Sequence, residues 1–156
     1  MNRLKIHIII LILAFGFVSC GLNENEPYNL KYIHIMMDET SATTVSCVAN
    51  NIGTYTVYLS SARFAKNVEV TYKIEVGDGL QEGLDYKLIT KGDKLVFLTG
   101  IFDMPIRIQW LANAKLDATK NNSIVITLLS NNQGYSIGLP GPDHNQSKFT
   151  ITKTIQ

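Results

Sequence analysis

The sequence predicts an all-β fold, a single antiparallel sandwich, and three observations carry that prediction. From residue 28 onward, apolar residues recur with a period of two rather than 3.6. The alternating runs are short and are separated by Asn, Asp and Gly clusters of the kind that make turns. No long amphipathic segment competes for a helix. Composition agrees: 156 residues with 46% apolar and 17% charged side chains supply one packed domain and are too few for two.

The chain opens on a segment that is not part of this fold. Arg3 and Lys5 give a positive start, and Ile8 to Val18 form an uninterrupted apolar run. Such a run spans about 16 Å as a helix, roughly half of a bilayer core of about 30 Å. Residues 1–19 are therefore read as a signal peptide rather than a membrane span. Phe17-Val18-Ser19-Cys20-Gly21 resembles the bacterial lipoprotein box, with Phe17 where Leu is usual and Val18 where Ala or Ser is commoner. That resemblance implies lipidation of Cys20 and cleavage before it, which moves the formal charge from +1 to −1. Several acyl chains on one cysteine hold a protein firmly at a membrane without spanning it. Residues 20–27 then read as lipidated cysteine and tether, since Asn23 to Pro27 offer neither periodicity nor apolar area. Glu24 and Glu26, with Gly21 in place of Asp, are similar to sorting signals of Bacteroidota lipoproteins and imply the outer membrane, facing the cell exterior.

Residues 28–156 form the expected sandwich domain. Val68 to Val76 alternates most clearly, with Val68, Val70, Tyr72, Ile74 and Val76 on one face. Met104 to Leu111 sets Ile106, Ile108 and Trp110 against Arg107 and Gln109, and Lys148 to Ile155 sets Phe149 and Ile151 against Thr150, Thr152 and Thr154. Further strands are expected at 30–36, 43–48, 54–60, 87–90, 94–98 and 123–130, with a turn of helix or a loop over 112–119. Gly77-Asp78-Gly79 reads as a tight hairpin turn.

Gly79 to Phe97 carries a G-x-x-x-G-x-D-Y pattern followed by a strand. It is similar to the corresponding stretch of Calx-beta-type immunoglobulin-like domains. Leu116-Asp117, Ile124 to Leu129, Gly134-Tyr135 and Ile137-Gly138 resemble the closing strands and loop of the same family. The family binds calcium through clustered carboxylates, and the resemblance assigns Asp85 and Asp117 to that neighbourhood. Where further acids would follow, this chain has Ala118, Thr119, Lys120, Asn121 and Asn122. Calcium takes about six to eight oxygen ligands, several of them carboxylates. No metal and no cofactor is therefore expected, and Asp85 is expected to bond turn backbone. Behind a lipoprotein box, the assembly resembles surface lipoproteins found beside glycan-uptake systems of the starch-utilisation type.

Several function classes are excluded by the residues. Fourteen basic against 13 acidic side chains cannot support binding through phosphate neutralisation, so no nucleic acid is expected. Gly134-Tyr135-Ser136-Ile137-Gly138 matches the G-x-S-x-G pattern of hydrolases, with Asp143 and His144 following. That motif needs a strand, a turn and a helix, and Leu139-Pro140-Gly141-Pro142 prevents the helix. No enzyme is expected. The spacing of Gly77, Gly79 and Gly83 precedes a strand, so no helix N-terminus awaits a phosphate. His34 and His144 are isolated, and Cys47 reads as a buried free thiol.

Sugar binding needs exposed aromatics with polar neighbours. Trp110 and Tyr72 share faces with core aliphatics and are placed inside. Tyr58, out of phase with Tyr55, Val57 and Leu59, and the loop residues Phe102 and Tyr135 are the ligand-binding candidates. The expected function is a lipid-anchored accessory module that captures glycan without catalysis, contacting a polysaccharide or a glycan-uptake complex. The alternative is a structural or adhesive module that binds a protein partner through an apolar patch or an open sheet edge.

Overall fold

A computed structural model describes residues 29–155. The signal peptide, Cys20 and the tether expected from sequence lie outside the described residues. Ten strands follow in order: β1 (Tyr32–Met36), β2 (Ala42–Ser46), β3 (Ile52–Ser60), β4 (Val68–Val76), β5 (Tyr86–Leu88), β6 (Lys94–Phe97), β7 (Asp103–Trp110), β8 (Ser123–Asn131), β9 (Ser136–Ile137) and β10 (Lys148–Thr154). They form two five-stranded sheets, ordered β5-β7-β3-β1-β9 and β2-β10-β8-β4-β6.

The inward positions of both sheets build one core. Sheet one contributes Ile33, Ile35, Tyr55, Val57, Leu59, Ile106, Ile108 and Trp110; sheet two answers with Val68, Val70, Tyr72, Leu95, Phe97, Ile124, Ile126, Phe149 and Ile151. Each such side chain contributes about 1.5–3 kcal/mol on burial, which is why alternation alone fixes which face of a strand turns inward. The Trp110 indole N–H donates to the Tyr55 hydroxyl at 3.0 Å, satisfying both polar atoms in the interior. Cys47 is buried and free.

Three features depart from the expected antiparallel sandwich. The pairs β1–β9 and β10–β2 are parallel. Odd-numbered strands make one sheet and even-numbered strands the other, so every connection crosses between sheets and sequence neighbours never pair with each other. The turn after β1, with Asp38 and Glu39 at φ 48° and 63°, drops into β2, and the loop after β9 drops into β10. Second, β9 is a two-residue strand, too short to show alternation. Third, Gly77-Asp78-Gly79 is not a hairpin, because β4 and the following β5 belong to different sheets. Instead it docks on the β7–β8 loop: the Gly77 and Gly79 N–H groups donate to the carbonyls of Ser123 and Asn121, and Asp78 Oδ1 accepts the Asn121 N–H. A Cβ at Gly77 would lie 2.1 Å from Asn121 O, and one at Gly79 would lie 2.0 Å from Asn122 Oδ1. These glycines allow close approach of two loops. Residues 111–122, between β7 and β8, are loop and turn with no helix.

Candidate functional site

At one end of the sandwich the β4–β5 and β7–β8 loops meet the last residues of β10. On β10 the inward phase runs Phe149, Ile151, Lys153, so the alternation that buries two apolar side chains also buries an ammonium. Lys153 is 1% exposed. Its Nζ donates to Leu111 O at 2.7 Å and to both Asp85 O and Asp85 Oδ1 at 3.1 Å, so its three protons have three oxygen acceptors. Asp85 Oδ1 also accepts from Asn113 Nδ2 at 2.8 Å, and Oδ2 accepts the Gln81 N–H at 2.9 Å. The Asp85 N–H in turn donates to Gln81 O, closing a reciprocal loop. Burial pushes the Asp85 carboxyl up. The bonds from Gln81, Asn113 and Lys153, with the Lys153 charge, outweigh that and hold it below its ordinary 3.8.

Asp85 thus bonds turn backbone, and it bonds Lys153 as well. In the sequence Lys153 stands at the in-phase position two residues beyond Ile151, a spacing that does not by itself distinguish a buried lysine from the solvated end of a strand. Asp117 turns to its own loop and accepts from the Thr119 N–H and hydroxyl, which keep its carboxyl below the usual range. These residues do not fit a calcium ion. Both Asp85 oxygens are engaged, Asn113 Oδ1 accepts the Lys115 N–H, and among the described residues no cluster of three acids, histidines or cysteines has metal-binding geometry.

The sequence candidates fall elsewhere. Tyr58 lies on the outer face of sheet one, stacked on His34 with centroids 5.4 Å apart, and His34 contacts Tyr32 at 5.3 Å. His34 is only 8% exposed, its Nδ1 has no partner, and burial lowers its pKa from 6.5. Phe102 packs edge-on against Phe64 at 5.3 Å. Tyr135 is held by Asn131 through its backbone, with Lys31 Nζ 5.8 Å from its ring. Phe102 and Tyr135 pack against the core while Tyr58 faces outward, so the three do not make one stacking platform. Ser136 is exposed on β9 with no helix after it.

The opposite end, where β3 leads to β4 and β6 to β7, is apolar. A cleft of about 460 Å³ is lined by Arg63, Phe64, Thr99, Gly100 and Phe102. Beside it Leu98 and Ile101, 56% and 43% exposed, flank a turn closed by the Ile101 N–H on Leu98 O.

Comparison with known proteins places the fold. Searches found no matching family model and no matching curated protein. Among solved structures, the calcium-binding domain CBD12 of CALX1.1 is similar over 81% of this chain and 44% of its own, with a TM-score of 0.55 and 16% identity. CBD12 from CALX1.2 matches 78% of this chain and 44% of its own, at TM-score 0.55 and 15% identity. The Calx CBD2 domain matches 78% of this chain and 85% of its own, at TM-score 0.52 and 14% identity. The chain therefore spans less than half the length of the first two of these structures. The fold is an all-β sandwich of the Calx-beta, immunoglobulin-like kind. These comparisons correct one expectation. The first of these structures is named as a calcium-binding domain and none is named for glycan or for a lipoprotein, so the glycan-binding, Bacteroidota outer-membrane lipoprotein setting attached to the resemblance is not upheld.

Proposed function

We propose that the domain is a structural or adhesive module that engages a protein partner through its apolar loop end. The observation that carries this reading is the exposure of Leu98 and Ile101 beside the Phe64–Phe102 cleft, with the Arg63 side chain at the rim. Exposed aliphatics over a preformed apolar cleft, edged by an arginine, have the composition of a contact surface. The Calx-beta-like frame supports it, since rigid strands hold both loops at fixed spacing. A photoactivatable residue at Thr99 is expected to give a discrete protein adduct in cells, abolished by adding Ile101→Asp. The same residue at Thr119, at the other end, is expected to give none. Equal adducts at both ends, or adducts to lipid alone, contradict the reading.

A further inference from the structure

We infer that Lys153 is a tethered cation that holds the β4–β5 and β7–β8 loops together in place of a bound metal ion, making this fold independent of calcium. The case rests on where the ammonium sits. Its three acceptors come from two segments distant in sequence: Asp85 O and Oδ1 from the residue just before β5, Leu111 O from the residue just after β7. Lys153 itself comes from the other sheet, so the ammonium fastens sheet two to sheet one at this end. Three oxygens around one buried positive charge, one of them a carboxylate, make a small oxygen cage. A metal ion in such a cage takes carboxylate and carbonyl ligands of the same kind.

A second observation closes the alternative. Two side-chain oxygens nearby already have partners: Asp85 Oδ2 accepts the Gln81 N–H and Asn113 Oδ1 accepts the Lys115 N–H. That leaves Asn122 Oδ1, buried without a partner, which is too little to build a metal site. A calcium ion entering here has to displace an ammonium that is covalently part of the strand and is 1% exposed. A covalently attached charge does not dissociate, so the loop end stays assembled whatever the calcium level. One similar solved structure is named as a calcium-binding domain; at the loop end of this chain the positive charge is carried by Lys153 itself.

Thermal unfolding of the purified protein tests this directly. The wild type is expected to melt within 1 °C of the same temperature in EDTA and in excess calcium, on the order of the scatter between scans. Lys153→Met is expected to lower the melting temperature by roughly 10 °C or more, because it leaves the Asp85 carboxylate buried without its counter-charge. Adding Asp85→Asn to that variant is expected to recover at least half of the loss. A calcium-dependent rise in the wild-type melting temperature overturns the inference, and so does a Lys153→Met variant that melts like the wild type. Should Lys153→Met not fold, the wild-type calcium response and the folding of the double variant decide the matter.

Discussion

Trp110 carries the largest fully buried side chain, and its indole N–H meets the Tyr55 hydroxyl inside the core. Trp110→Ala is expected to cost about 3–5 kcal/mol in urea unfolding, whereas Trp110→Phe loses mainly the hydrogen bond and about 1–3 kcal/mol. His34 makes a different prediction. Its folded pKa lies below 6.5 because burial disfavours the imidazolium, so the unfolded chain binds the extra proton first. The stabilisation is present above pH 6.5 and declines as pH falls below it. Asp85 repeats the sign lower down: its contribution is full above 3.8 and is lost as pH drops through the depressed folded value. Melting temperature against pH should therefore fall in two stages, and His34→Gln should flatten the upper one. A wild-type curve level from pH 8 to 5 contradicts the first stage. At this scale Trp110, Tyr72 and the outward phase of Tyr58 were legible from alternation. The role of Lys153 was not, because a charged residue at the end of a strand usually marks its solvated end, and only its partners on the other sheet show otherwise.

Among the elements, the long alternating strands β4, β7 and β10 could be read from sequence because burial on one face imposes the period. The short β9 and the parallel pairings could not, since two residues carry no period and pairing direction depends on where the chain changes sheet. The Gly77–Gly79 segment makes the same point. Its glycines signal a turn equally well in a hairpin or in a loop docked on another loop. Close approach to Asn121 and Asn122 is what requires them here. Gly79→Ala is accordingly expected to destabilise by about 1–3 kcal/mol, as overpacking does, with a lower urea midpoint and an unchanged slope. A neutral Gly79→Ala would show that the two loops separate easily.

Across the whole molecule, the two ends of the sandwich divide the work. One end is closed by a buried ion pair within a hydrogen-bonded frame, and the other presents aliphatic side chains beside an apolar cleft. The apolar end was visible in sequence only as the single residue Phe102, because Phe64, Leu98 and Ile101 lie on two loops that the fold alone brings together. The closed end carries the inference drawn above, that a buried ammonium rather than a metal ion fastens these loops. A double-mutant cycle of Asp85→Asn and Lys153→Met, measured by urea unfolding at neutral pH, tests it most directly. Each single change should cost about 3–5 kcal/mol and the pair far less than their sum, a coupling of about 2 kcal/mol or more. Additive losses, with coupling near zero, would contradict the account.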